Sequence, residues 1–142
     1  MKQVKHILET KPENIFSVSQ ETSVLDALKI MLDKNISALL IMDDNTLQGI
    51  FTERDYARKI ILQGKSSKDT PMKEVMTSDL KTISPNDTID HCMQIMSDLH
   101  IRHLPVIDGG KVKGMVSIGD VVKFIISDQK QTIAHLQSYI QS

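Results

Sequence analysis

Thr52 and Asp55 stand three residues apart in GIFTERDY (49–56), as do Ser117 and Asp120 in GMVSIGDV (114–121). A hydroxyl three residues ahead of a carboxylate is the spacing of a helix capping box, in which each side chain accepts from a backbone N–H near the other. It is also a spacing at which the two groups can hold one polar ligand. An ionised Asp accepts hydrogen bonds only, and a hydroxyl both donates and accepts. The unpaired N–H groups of the helix start suit an anion. Neither role excludes the other. Both segments carry a glycine three residues before the hydroxyl, whereas the intervening pair differs entirely, Glu53-Arg54 against Ile118-Gly119. A second candidate group is Arg102-His103 in IRHLPVI, where the matching stretch ISALLIM has Ser37-Ala38. Arg offers a planar fork to oxyanions, and His a titratable donor.

Those groups must be positioned by elements that occur twice. Shifted by 65 residues, Ser17–Ile61 matches Thr82–Ile126 without a gap, with 11 of 45 positions identical. Each copy reads β-α-β-β-α. FSV (16–18) and KTI (81–83) are short predicted strands. Val24, Leu28, Met31 and Leu32, and likewise Ile89, Met93 and Met96, fall at helical spacing. Ser23 with Asp26, and Asp87 before Thr88, fit helix starts. ALLIM (38–42) and HLPVI (103–107) predict buried strands, and DDNT and DGGK are the turns of a hairpin. The third strand, LQGIFT or VKGMVS, has an internal glycine, which marks close approach of another backbone or a ligand. A second helix is predicted over 53–62 and 118–127.

Neither copy alone has enough strands to bury a core, so the reading is an α+β fold of two pseudo-twofold-related repeats packed face to face through their sheets. The first repeat is expected over 8–64 and the second over 75–132. A short helix is expected over 1–10 and a helical tail over 128–142, with Ile133, Leu136 and Ile140 on one face. LQGKSSKDTP (62–71) is the linker. Pro71 opens a short helix at MKEVM (72–76), which resembles VKHIL (4–8), so the lead-in is duplicated too.

Among the 142 residues, 17 basic and 18 acidic side chains give a net charge of −1. That argues against a general nucleic-acid binder, which needs a basic face. No apolar run reaches the roughly 20 residues of a membrane span, and no secretory signal is visible. One cysteine, Cys92, on an apolar helix face, predicts an inert buried thiol and a reducing, cytoplasmic setting. The five histidines show no metal-ligand spacing, and no nucleophile–base constellation or P-loop is present.

The duplicated Gly-x-x-[Ser/Thr]-x-x-Asp, with HLPVID in the second copy, resembles the cystathionine-β-synthase (CBS) domain, two of which form a CBS pair or Bateman module. TERDYARKI looks particularly like the small stand-alone CBS-pair proteins of bacteria and mitochondria. The resemblance implies a non-catalytic regulatory module that binds an adenosine-containing ligand between the repeats. AMP or ATP leads that expectation, with ADP, NAD and S-adenosylmethionine as further candidates. It also implies that Asp holds the ribose with help from Ser/Thr, and that a basic pair reaches the phosphates. Carried over, the first site is Thr52, Asp55, Ile50 and Arg54 with Thr82, Ile83, Arg102, His103 and Pro105. The second, expected to be weaker because it lacks the basic pair, is Ser117, Asp120 and Met115 with Ser17, Val18, Ser37 and Ala38. Arg58 is read as solvated or ion-paired. A homodimer is expected, signalling by conformational or oligomeric change to a separate effector. The alternative is a CBS-fold scaffold that acts by protein contact alone; an enzyme ranks last.

Overall fold

The computed structural model describes residues 2–11 and 15–141, and the side chains up to residue 138. Met1 and Ser142, and the side chain of Ile140, therefore lie outside the described residues. Helix α1 (Val4–Glu9) leads into strand β1 (Ser17–Val18), helix α2 (Val24–Lys34), and strands β2 (Ala38–Asp43) and β3 (Thr46–Thr52). Helix α3 (Glu53–Asp55) and a π-helical segment (Tyr56–Ile61) close the first repeat. A 3-10 turn (Met72–Glu74) then leads to α4 (Ile89–Leu99), β4 (His103–Asp108), β5 (Lys111–Ser117) and α5 (Ile118–Gln141).

Local chemistry sets these boundaries. Ser23 caps α2 by accepting from the Asp26 N–H at 3.1 Å, and Thr88 caps α4 by accepting from His91 at 3.0 Å. Both helices end on a left-handed residue, Asn35 or His100, each with φ 54°. The hairpin turns need positive φ at both central residues. Asp44 and Asn45 supply it at φ 50° and 63°, and Gly109 and Gly110 at φ 58° and 78°. Both hairpins break register at the same place, Ile41/Met42 and Val106/Ile107.

Three details depart from the sequence reading. The first copy of the second helix is α-helical for one turn and then π-helical over Tyr56–Ile61, so Leu62 N–H donates to the Ala57 carbonyl. In the second copy the helix and the tail are one continuous element, α5, because no Gly or Pro interrupts the chain after residue 119. The strand expected at KTI shrinks to a single parallel bridge, Ile83 to Val106.

Strand alternation divides the apolar residues among three cores. Leu39, Ile41 and Phe51 turn towards α2 in the first core, and Leu104, Val106 and Val116 towards α4 in the second. Ala38, Leu40 and Ile50 point the other way and meet Val112 and Met115 of β5. This third core is where the two sheets face each other.

Each repeat is completed by a lead-in. Met72 and Val75 are fully buried in the first core, and Val4 and Ile7 in the second. The hydrogen bonding is duplicated as well. Met72 and Lys73 N–H donate to Thr22 and Gln20 carbonyls, while Val4 and Lys5 donate to Asp87 and Pro85. The first lead-in thus docks on the second repeat. Gly49 of β3 shows how close this packing is. Thr77 exchanges hydrogen bonds with Ile50 at 2.8 and 2.9 Å, and a Cβ on Gly49 would lie 2.8 Å from the Thr77 carbonyl oxygen and from Met76 Sδ. The close approach expected at this glycine is therefore to backbone. Gly49→Ala should destabilise the protein by about 1–3 kcal/mol through overpacking. Gly119→Ala, whose Cβ would sit an ordinary 3.6 Å from Ser117 Oγ, should be neutral or stabilising by up to about 1 kcal/mol. Urea denaturation of the two variants checks the contrast.

Candidate functional site

Two clefts flank the sheet-to-sheet core. The first, about 540 Å³, brings Ile50, Thr52, Arg54 and Asp55 of the first repeat against Arg102, His103 and Pro105 of the second. The second, about 960 Å³, brings Met115, Ser117 and Asp120 against Ser37 and Ala38. Four expected residues do not line either cleft. Val18 packs against the first core and Ile83 is buried in the second, and Ser17 is paired to Leu40 in β1. Thr82 is exposed beside Ile83. The chain enters each cleft one or two residues earlier, before strand pairing turns it into the sheet, so Ile15 and Phe16 line the second cleft and Leu80 and Lys81 the first.

Both capping boxes are formed. Thr52 N–H donates to Asp55 Oδ2 at 3.0 Å while Asp55 N–H donates to Thr52 Oγ1 at 3.2 Å. Ser117 N–H donates to Asp120 Oδ2 at 2.9 Å while Asp120 N–H donates to Ser117 Oγ at 3.1 Å. The carboxylates differ in what else they hold. Asp55 Oδ1 accepts from Thr77 Oγ1 at 3.1 Å and pairs with Lys59 Nζ at 3.3 Å, leaving its side chain 11% exposed. Asp120 Oδ2 also takes Lys11 Nζ at 2.7 Å, but Oδ1 accepts no hydrogen bond among the described residues, and the side chain is 22% exposed. Burial pushes the Asp120 carboxyl up; the hydrogen bonds from Lys11 and Ser117 and the Lys11 charge outweigh it and hold the group below its ordinary range.

His103 and Ser37 line both clefts. They stand at the junction, with Ser37 Oγ 3.0 Å from His103 Nε2. Burial lowers the His103 pKa, Asp120 raises it, and Lys11 and Arg102 lower it, for a net displacement below 6.5. Arg54, expected beside a phosphate, donates from Nη1 to the His100 carbonyl at 2.7 Å. It thereby caps the end of α4 and ties the first repeat to the second.

A family model for the CBS domain matches residues 4–62 and 72–127. The chain belongs to the CBS-domain family. It is 43% identical over 126 residues to the mitochondrial CBS domain-containing protein CBSX3 of Arabidopsis thaliana, covering 85% of this chain and 61% of the plant protein. The chain therefore spans less than two thirds of that relative. The match to the CBS domain-containing protein YhcV of Bacillus subtilis is 31% identical over 115 residues, 81% of each chain. Among solved structures, a protein with CBS domains from Burkholderia ambifaria superposes with a TM-score of 0.87 at 46% identity, covering 90% of this chain and 96% of that one. The CBS domain pair of protein MJ0100, solved with 5′-methylthioadenosine and S-adenosyl-L-methionine, gives 0.79 at 31% identity, covering 90% and 98%.

Several cleft residues of this CBS pair escaped the sequence reading. Arg58 lines the first cleft and makes no ion pair among the described residues. The second cleft, expected to be weaker for want of the basic pair, is lined by Lys11, Lys34 and Lys113. None sits at a position equivalent to Arg102 or His103. The duplication of VKHIL and MKEVM was the available signal, since it carries α1 and the residues after it onto the second repeat. Cys92 is fully buried, and burial with the Asp87 charge pushes its thiol up to about 11. Among the described residues no helix is long and apolar enough to cross a membrane. The His103 displacement has a measurable sign. Because the folded site resists protonation, the unfolded chain binds that proton more readily, and stability is lost as pH falls below 6.5. Urea titrations from about pH 8 to about pH 5 should show wild type losing more stability than His103→Gln; parallel curves would remove the assignment.

Proposed function

We propose that this CBS pair is a non-catalytic regulatory module that takes an adenosine-containing ligand, AMP or ATP foremost, in the clefts between its repeats. The ribose hydroxyls lie on Asp120 with Ser117, and on Asp55 with Thr52. The observation that carries the reading is the Asp120 carboxylate: held below its ordinary pKa range, locked by its own cap, lining a cleft of about 960 Å³, and with one oxygen that accepts no hydrogen bond among the described residues. The MJ0100 pair, solved with two adenosine ligands, supports the ligand class. Adenosine nucleotides fit the cations on both walls, Arg58, Lys81 and Arg102 in the first cleft and three lysines in the second.

Residue types alone rank the first site ahead of the second. The geometry supports the opposite order for the ribose grip, since Asp55 already has partners on both oxygens and sits in the smaller cleft. Asp120→Ala should therefore weaken nucleotide binding by tenfold or more, the loss of two charge-assisted hydrogen bonds. Asp55→Ala should cost less affinity but more stability, about 1–3 kcal/mol, because it strips Thr52, Thr77 and Lys59 of a shared partner. Calorimetric titration with AMP, ATP, NAD and S-adenosylmethionine, alongside urea melts, checks both. Absence of binding by every ligand at millimolar concentration sinks the reading.

One feature favours a second reading, action through contact with another chain. Val122, Ile126, Ile133 and Leu136 are exposed along α5 at spacings of one, two or more helical turns. A homodimer through this stripe is compatible with ligand sensing and provides the assembly whose equilibrium a ligand shifts. Sedimentation should give the mass of two chains for wild type and of one for Ile126→Glu combined with Ile133→Glu.

A further inference from the structure

Lys11 follows α1, the element furthest in sequence from β5 and α5, yet its ammonium reaches both. Nζ donates to Asp120 Oδ2 and to the Met115 carbonyl, each at 2.7 Å. An ammonium has three N–H donors, and among the described residues only these two acceptors take them, which leaves one for a ligand acceptor beside the carboxylate. Lys11 also decides the charge of its surroundings. Without it, the described residues that line the cleft set Lys34 and Lys113 against Glu9, Asp108 and Asp120. Acids would then outnumber cations, and the bare Asp120 would attract a positively charged ligand. With Lys11 in place these charges balance, and the ammonium stands on Asp120, the carboxylate proposed to hold the ribose. The first cleft is built differently. In the frame that aligns VKHIL with MKEVM, the residue equivalent to Lys11 is Asp79, and Asp79 lines that cleft. The ammonium on Asp55 comes instead from Lys59, one turn along the same helical segment.

We propose that Lys11 is a specificity residue of the second cleft, donating its remaining N–H to an anionic group next to the ribose, so that this cleft selects nucleoside phosphates over sulfonium nucleosides. This rests on the reading of that cleft as a nucleoside site and adds the class of 5′ substituent it accepts. The physical reason is Coulombic. A cation within about 6 Å of a partly desolvated phosphate favours it, and disfavours a sulfonium at the same place, each by roughly tenfold or more. Uncharged adenosine feels neither effect.

The test is calorimetric titration of the full chain with AMP, adenosine and S-adenosylmethionine, for wild type, Lys11→Met and Lys11→Arg, with a thermal melt to show that each variant folds. Lys11→Gln replaces Lys11→Met if the latter does not. Wild type should favour AMP over S-adenosylmethionine. Lys11→Met should lower that ratio by about tenfold or more while changing adenosine by less than about threefold, and Lys11→Arg should keep the wild-type order. A uniform change in all three ligands, or no change, means that Lys11 only braces Asp120 and overturns the proposal while leaving the nucleoside site standing. Failure of wild type to bind any of the three removes the nucleoside site and the proposal together.

Discussion

The docking of α1 on the second repeat is the contact on which the rest of the molecule depends. The first helix of the chain completes the core of its last repeat, across all of the first repeat. Val4 and Ile7 bury fully there, worth about 1.5–3 kcal/mol each, and three backbone hydrogen bonds join Lys2, Val4 and Lys5 to residues 85–89. The 3-10 turn at Met72 does the same for the first repeat through Thr70, Met72 and Lys73. Each repeat thus borrows apolar residues from outside its own β-α-β-β-α unit. Each lead-in also packs beside the glycine of a third strand, Met76 and Thr77 at Gly49 and Leu8 at Gly114. Lys11 lies two residues beyond the end of α1, so the docking of α1 brings it to the second cleft.

The pseudo-symmetry fails where the sheets meet, and the failure has a chemical content. In the first repeat, alternation presents Ala38 and Leu40 to the shared core. The equivalent places in the second repeat are His103 and Pro105. An imidazole at an otherwise apolar junction needs a partner, and Ser37, the residue equivalent to Arg102, provides it at 3.0 Å. The polar substitution in one repeat is thus answered by a small polar residue in the other. The result is a hydrogen bond across the repeats at the one place that both clefts share.

Periodicity and turn chemistry made the fold legible. A constant offset of 65 residues carried strand, helix and hairpin from one copy to the other, and Ser23, Thr88, Asp44-Asn45 and Gly109-Gly110 do locally what their types dictate. The capping boxes were legible for the same reason. What stayed hidden depends on geometry between segments. Ile15, Phe16, Leu80 and Lys81 reach the clefts because the chain has not yet joined the sheet there, and a strand of two residues leaves too little pattern to fix its register. The π-helical turn at Tyr56–Ile61 has no signature in residue type. Lys11 and Lys59 both end on a capping carboxylate, one from a distant lead-in and one from the same helical segment, and no single spacing rule yields both. The duplicated lead-in pointed to Lys11 only once the crossing of the two lead-ins was known.

A carboxylate that already caps a helix is a suitable grip for a diol. Its orientation is set by the backbone N–H of the hydroxyl residue, so a ligand need not order it. Under the proposed reading, binding at such a grip becomes a signal only through the segments that the ligand joins. The second cleft takes its walls from three segments: Ser117 and Asp120 at the start of α5, Ser37 and Ala38 at the start of β2, and Lys11 after α1. A ligand touching all three has an affinity that depends on their relative placement. That dependence is the only source of a conformational shift. Moving an equilibrium from 1:99 to 99:1 needs a difference in affinity of about 10⁴-fold, which several weak contacts in one segment supply less readily than a few contacts spread across all three. Helix α5 extends without a break from the capped Asp120 to the exposed Val122, Ile126, Ile133 and Leu136, so under the proposed reading a rotation at Asp120 would turn that stripe with it.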